Sequence, residues 1–231
     1  MNKKIYLITG DRKGIGRSLS EYYLSKGHLV IGCSRSGSDL VHKNYDHKIC
    51  DVADENAVKY LVLFIRKKHK RIDVLINNAG MASMNHILTT PVITFQKLVD
   101  TNFKGTFLFI REGSKIMRKN GGCIINFSTV ASPLNLEGEA IYASTKAAIE
   151  KLTKISAHEL SSFNIRVNCI GPTPVLTDLI KAVPKNKIEK LLSSQAIKRL
   201  GRFDDVKNVI NFYCSEKSNF ITGQTIFLGG V

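Results

Sequence analysis

Short apolar runs alternate along the chain with longer stretches in which apolar residues recur every three or four positions. The runs at 5–9, 29–33, 48–51, 74–77, 123–127, 166–170 and 225–228 read as strands. Helical spacing covers 15–26, 55–69, 94–119, 142–161, 176–182, 188–195 and 204–215. In the fourth of these helices Ala147, Ala148, Ile149, Leu152, Ile155 and Leu160 mark one apolar stripe. Most strands are near-continuous apolar runs, which suits a parallel sheet covered on both faces. Strand and helix alternate throughout, so the pattern predicts a doubly wound α/β fold. No linker or repeat interrupts it, and 231 residues are expected as one domain, 1–231. Only 172–199, with three prolines, breaks the rhythm and is expected to be a mobile insertion.

Composition narrows the class. An apolar fraction of 43% fits a soluble globular protein. No apolar stretch approaches about 18 residues, so no membrane span is expected. The run after Met1-Asn2-Lys3-Lys4 is too short for a signal peptide, and the mature chain is expected to start there and stay in the cytoplasm. Cys33, Cys50, Cys123, Cys169 and Cys214 are widely spaced and odd in number. Neither a metal site nor a disulfide framework fits them. All but Cys214 fall in or beside predicted strands, where free cysteine behaves as a small buried hydrophobe.

The net charge of +15 points to an anionic ligand. Its one dense run, Arg66-Lys67-Lys68-His69-Lys70-Arg71, closes a helical period, where cations suit the helix dipole. No nucleic-acid reading motif accompanies it, so no nucleic-acid partner is expected.

The first strand runs into Thr9-Gly10-Asp11-Arg12-Lys13-Gly14-Ile15-Gly16, where a helix begins. Glycines there let backbone approach a pyrophosphate, and a helix N-terminus favours the anion. At the end of the second strand, Ile31-Gly32-Cys33-Ser34-Arg35 lacks the acidic residue that would hold the ribose 2′-hydroxyl of NAD. Ser34 leaves room and Arg35 adds a guanidinium, with Arg12 and Lys13 in the first loop. Together they suit a 2′-phosphate, hence NADP(H) in preference to NAD(H). Tyr142 and Lys146, four apart, share a helix face. An ammonium beside a phenol favours phenolate, which is expected to lower the tyrosine pKa toward acid–base work near neutrality. Alone, such spacing is often only a surface pair.

These residues together resemble the short-chain dehydrogenase/reductase family. Thr9–Gly16 matches its glycine motif, and Asp51-Val52 the pair placed against adenine. Asn77-Asn78-Ala79-Gly80 matches its structural and ribose-contacting turn, and Asn102 the helix asparagine of its catalytic tetrad. Tyr142 and Lys146 match the active-site pair. Asn168-Cys169-Ile170-Gly171-Pro172 resembles the stretch leading to the nicotinamide-side loop, and Ile221-Thr222-Gly223-Gln224 the C-terminal Thr-Gly motif. The resemblance spans essentially the whole chain and is nearest to the bacterial 3-oxoacyl-ACP-reductase-like group. It implies a single Rossmann-type domain with a seven-stranded sheet and a substrate loop over about 172–200. It also implies hydride transfer between nicotinamide and a carbonyl carbon. Tyr142 would move the proton, with Lys146 lowering its pKa and binding ribose. A hydroxyl after the fifth strand would orient the carbonyl, and Asn102 would hold a relay water. Implied cofactor contacts also include Pro172, Thr173, Val175 and Thr177. Relatives form tetramers or dimers through the helices at 94–119 and 142–161.

Three departures matter. The family's serine lies thirteen residues before the tyrosine; that position here is Thr129, with Ser128 beside it. Side chains alternate along an extended segment, so Ser128 and Thr129 cannot both face the cofactor. Thr129 is expected to serve and Ser128 to be structural. Second, Pro172-Thr173-Pro174 replaces the commoner Pro-Gly, and Thr173 offers a hydroxyl near the expected carboxamide. Third, the two arginines that dock an acidic acyl carrier protein in such reductases align with Asn120 and Phe163, with Arg118, Lys119 and Arg166 nearby. A mainly apolar substrate pocket is expected from Met81, Met84, Ala131, Leu134, Leu136 and parts of 175–183. The substrate is read as a small-molecule or thioester carbonyl, including a 3-oxoacyl thioester. The alternative is a non-catalytic NADP sensor or scaffold; a dehydratase or epimerase would need a larger chain.

Overall fold

The structure is a computed structural model that describes residues 3–176 and 183–231, with Lys185 by its backbone alone. Seven parallel strands form one sheet in the order β3-β2-β1-β4-β5-β6-β7. They are β1 (Ile5–Thr9), β2 (Leu29–Ser34), β3 (Tyr45–Ile49), β4 (Val74–Asn77), β5 (Gly122–Phe127), β6 (Ile165–Gly171) and β7 (Thr225–Phe227). Six of the predicted strands recur within one residue at each end. The sheet is the doubly wound α/β arrangement that the alternation predicts.

Every residue of β1 is buried, because the strand is central and helices cover both faces. Leu7 stands opposite Ile31 and Leu75, and Ile8 opposite Gly32 and Ile76. Successive side chains point to opposite faces. Leu7, Ile31, Leu75, Ile124 and Val167 therefore enter one core with Val58, Ile65 and Phe109. Tyr6, Ile8, Val30, Ile76 and Ile125 enter the other with Leu19, Tyr23, Val206 and Ile210. The helices supplying these partners are α1 (Gly14–Ser25), α2 (Glu55–Lys68), α4 (Gly105–Met117) and α8 (Phe203–Tyr213). The Asp54 carboxylate starts α2 by accepting the Asn56 and Ala57 N–H groups at 2.8 and 3.2 Å. Arg66, Lys67 and Lys68 close it, where the dipole favours them.

Strand order reverses between β1 and β4, so the loops beyond their C-terminal ends part and leave a crevice. On one side of it, α3 (Val92–Leu98) runs through a π turn (Val99–Lys104) into α4. On the other, α5 (Ala131–Leu134) precedes the long α6 (Ala140–Glu159), and α7 (Lys185–Ser194) lies across its mouth.

Two expectations need correction. The helix at 94–119 is not uniform: the Gly105 N–H reaches the Asp100 carbonyl, five residues back. A one-residue widening is invisible to a 3.6 periodicity read over many turns. The third strand lies at Tyr45–Ile49, not 48–51, because its inward residues are polar and carry no hydrophobic signal. The predicted 176–182 helix falls outside the described residues apart from Leu176. All five cysteines are free and buried. Among the described residues no helix is long and apolar enough to cross a membrane.

Candidate active site

Four loops at the C-terminal edge of the sheet enclose a cavity of about 470 Å³. They follow β1, β4, β5 and β6. The first is folded tightly on the second. Gly10 has φ +69°, and a Cβ there would stand 2.9 Å from Ala79 Cα. A Cβ at Gly16 would overlap the Gly10 carbonyl. Asn78 Nδ2 donates to the Thr9 and Gly10 carbonyls at 2.9 and 3.1 Å, and the Ala79 N–H to Thr9 Oγ1 at 2.9 Å. Helix α1 starts at Gly14 with no side-chain cap, so the leading amides of Gly14, Ile15 and Gly16 lack intrahelical partners. Gly10, Lys13, Gly14 and Ile15 line the cavity with Asn78, Ala79 and Gly80. A glycine cradle beside uncapped amides fits a pyrophosphate.

A groove continues from this loop past Arg12, Lys13, Arg17, Gly37 and Asp39. Arg17 spans it in ion pairs with Glu21 and Asp39. Ser34 ends β2, and Arg35 follows it exposed. Asp51 and Val52 stand just past β3, outside the cavity wall. The Asp51 carboxylate accepts the Ala53 N–H at 2.9 Å, and Val52 packs on Gly105.

Tyr142 and Lys146 project from the first turns of α6 into the cavity. The two ends are held differently. Lys146 is buried, and its Nζ donates to the Phe127 carbonyl at the end of β5 at 2.9 Å. Nζ is 6.0 Å from the Tyr142 ring centroid. Burial lowers the Lys146 pKa to about 8. Burial also pushes the Tyr142 phenol up to about 12; the Thr129 hydroxyl, hydrogen-bonded to it, pulls down and the Glu139 charge pushes up. The lowered tyrosine pKa expected from the spacing is therefore absent here. A desolvated phenol loses more than an ammonium anchored elsewhere returns.

The two hydroxyls after β5 separate as strand alternation requires. Ser128 turns to the Glu150 carboxylate of α6. Thr129 turns to Tyr142 and also accepts the Ala131 N–H at 3.3 Å. Asn102 sits buried in the π turn. Its Oδ1 accepts the Met81 N–H at 2.8 Å, and its Nδ2 donates to the Met81 carbonyl and to Thr145 Oγ1 at 3.0 and 3.1 Å. Both Nδ2 protons are taken. The Asn102 carbonyl accepts the Thr106 hydroxyl at 2.7 Å. Gly80 packs between this asparagine and Lys146: a Cβ on it would be 3.3 Å from Asn102 Oδ1 and 3.4 Å from Lys146 Nζ.

Pro172, Thr173 and Val175 line the cavity. The Thr173 hydroxyl donates to Gln195 Oε1. Thr177 lies outside the described residues. Met81, Met84, Ala131, Leu136, Val175 and Val183 line the pocket as expected, whereas Leu134 does not. The wall is also more ionic than expected, with Glu137, Glu139, Lys187 and Lys190. Glu139 precedes Tyr142 by three residues, a spacing that places it on the same helix face and offered the signal. Burial raises its carboxyl, and Lys187 opposes that. Arg166 is not a surface docking arginine: its guanidinium donates to the Tyr213 and Ile221 carbonyls. Arg118 and Lys119 are exposed.

The family model described as enoyl-(acyl carrier protein) reductase matches residues 10–230. The chain is 32% identical to the 3-oxoacyl-[acyl-carrier-protein] reductase FabG of Staphylococcus aureus strain Mu50, over 98% of this chain and 97% of the relative. Its fold superposes on ligand-free aldohexose dehydrogenase of Thermoplasma acidophilum with a TM-score of 0.89 at 27% identity, covering 99% and 94% of the two chains. It superposes equally, at 0.89 and 28% identity, on a 4-hydroxyisoleucine dehydrogenase complexed with NADH, covering 99% and 98%.

Proposed function

Because this chain belongs to the short-chain dehydrogenase/reductase family of NAD(P)-dependent oxidoreductases acting on CH–OH and C=O groups, we propose that it is an NADP(H)-dependent carbonyl reductase. The carrying observation is the convergence of Tyr142, Thr129 and Lys146 in one cavity beside a glycine cradle. Gly10, Gly14, Ile15 and Gly16 would hold the pyrophosphate. Arg12, Lys13, Ser34 and Arg35 would hold the 2′-phosphate, as three cations and a hydroxyl favour an anion there. Asp51 and Val52 would border adenine. Asn78, Ala79, Gly80, Lys146, Pro172, Thr173, Val175 and Thr177 would border the nicotinamide riboside. The bound nicotinamide supplies the hydride.

The protein's own part is proton transfer and positioning. Tyr142 gives its phenolic proton to the carbonyl oxygen in reduction and takes it back in oxidation. Thr129 donates to the same oxygen and fixes its position. Lys146 lowers the cost of forming phenolate by its charge. Asn102 holds the Met81 turn and α6 together; its main-chain carbonyl is the atom for a relay water, since its Nδ2 protons are taken. In this reading the substrate is a 3-oxoacyl thioester, in keeping with the S. aureus relative. Arg118, Lys119 and the net charge of +15 suit an acidic carrier protein. A second reading is a small polar carbonyl compound, which the ionic wall of Glu137, Glu139, Lys187 and Lys190 favours. Exposed Phe107 on α4 and Ile155 on α6 favour assembly into dimers or tetramers. NADPH consumption with 3-oxoacyl thioesters, hydroxyketones and simple ketones tests these readings. Turnover with thioesters supports the first substrate class. Micromolar NADPH binding without turnover of anything would make the protein a sensor.

A further inference from the structure

The cavity wall carries a carboxylate that proton transfer and cofactor binding leave unused. Glu139 lines the cavity together with Tyr142, Thr129 and Lys146. It stands three residues before Tyr142, about 4.5 Å back along the helix axis and on the same face. Its main chain is fixed on both sides. The N–H donates to the Leu136 carbonyl at 3.2 Å, and the carbonyl accepts the Ala143 N–H at 2.7 Å. The residue before it is pinned as well. The Asn85 N–H donates to the Gly138 carbonyl at 2.8 Å. A Cβ on Gly138 would meet Met84 Cγ at 3.2 Å and Lys187 Nζ at 3.5 Å. Glu139 is thus held where the loop after β4, the start of α6 and the start of α7 meet.

The structural uses of a carboxylate at this place are not made. Glu139 immediately precedes α6 yet caps none of its N–H groups. Lys187 acts on it only through space, and among the described residues no hydrogen-bond donor reaches it. Glu137, Lys187 and Lys190 are exposed, whereas Glu139 is half-buried. Its charge is close enough to Tyr142 to act on the phenol. Water solvates such a carboxylate in solution, and a substrate that fills the cavity displaces that water. An apolar chain would leave the carboxylate unpaired, which is costly, whereas an N–H or O–H donor satisfies it. A site with such a group rejects an analogue lacking the donor far more sharply than an apolar pocket rejects a missing methylene.

We propose that Glu139 is a specificity-determining residue, which accepts a hydrogen bond from an N–H or O–H that the substrate carries beyond its reacting carbonyl. This rests on the carbonyl-reductase reading of the cavity. With Tyr142 and Thr129 holding the carbonyl oxygen, Glu139 meets the substrate about one helical turn away. The donor has two chemical sources, one in each substrate class already named. A thioester on a carrier arm offers the amide N–H that follows its sulfur. A small polar carbonyl compound offers a hydroxyl next to the carbonyl. A plain ketone or a simple ester offers neither.

Two matched pairs of substrates, each differing by one donor, test this with NADPH as reductant. S-acetoacetyl-N-acetylcysteamine is compared with the isostere in which an ester oxygen replaces the amide N–H. Hydroxyacetone is compared with butanone. The ratio of kcat/KM within each pair is measured for the natural protein and for Glu139→Met. The intrinsic reactivity of the carbonyls is common to both proteins, and the effect of Glu139 on the Tyr142 phenol is common to both members of a pair, so neither moves the comparison. In at least one pair the advantage of the donor should fall by about tenfold or more in the variant, and that pair identifies the source of the donor. Ratios unchanged by the substitution in both pairs overturn the proposal alone. No turnover of any of the four by the natural protein overturns the carbonyl-reductase reading and the proposal with it. Should Glu139→Met fail to fold, Glu139→Ser is read in the same way, because serine is favoured at a helix N-cap and its short side chain withdraws the acceptor from the cavity.

Discussion

Replacing Thr129 by valine exchanges a hydroxyl for a methyl at nearly constant volume, so cavity shape is kept and one polar atom is lost. Two interactions go with it. The Ala131 N–H loses an acceptor at 3.3 Å, which costs about 1 kcal/mol of stability. The Tyr142 phenol loses its hydroxyl partner, and the reacting oxygen loses a positioned donor. Removing one such donor lowers kcat by about 10² to 10³, or roughly 2.7–4 kcal/mol of barrier. Ser128→Ala is the matched control. Ser128 is buried and its hydroxyl donates to Glu150, not to Tyr142. Its loss leaves a half-buried carboxylate short of a donor, at about 1–3 kcal/mol. In a chain of this size each kcal/mol lowers Tm by about 2–4 °C. Ketone reduction with NADPH and thermal unfolding, measured on both variants, separate the roles. Thr129→Val should lose activity with a small change in Tm, and Ser128→Ala should lose Tm with kcat inside about threefold. If Ser128→Ala loses the activity and Thr129→Val keeps it, the assignment of the hydroxyl is wrong.

Two more outcomes follow from the packing. Gly32→Ala drives a methyl into the Asp11 carboxylate and should cost about 1–3 kcal/mol; thermal unfolding should show Asp11→Ala in the same chain restoring part of it. Lys146 has its pKa lowered from 10.5 to about 8 by burial, so the native state releases a proton that the unfolded chain retains. Its contribution to stability therefore rises with pH from about 8 to about 10.5, by at most about 3 kcal/mol. Lys146→Met should remove that slope in denaturant titrations, and an unchanged slope would show that Lys146 is not desolvated.

Much of the architecture was legible because each face of the sheet is apolar. Ile5–Thr9 and Val74–Asn77 needed no more than their run of aliphatic residues. The third strand escaped for the opposite reason. Tyr45 and His47 point inward onto a buried carboxylate, a polar arrangement that hydrophobic patterning reads as loop. The site shows the same division. Helical spacing puts Tyr142 and Lys146 on one face, but it does not say that the ammonium goes to the Phe127 carbonyl. The tyrosine pKa depends on that detail and on burial, and so rises instead of falling. Arg166 looked like a surface cation and is instead tied to two backbone carbonyls. Sequence carries neither depth nor partner for such long side chains.

The central claim is that Tyr142 is the proton donor in an NADPH-dependent carbonyl reduction. Its most direct test is NADPH oxidation by a 3-oxoacyl thioester with the natural protein and with Tyr142→Phe, alongside the NADPH dissociation constant of each. The natural protein should turn over, and the variant should lose about 10² to 10⁴ in kcat with little change in NADPH affinity. Equal turnover by both proteins would contradict the claim.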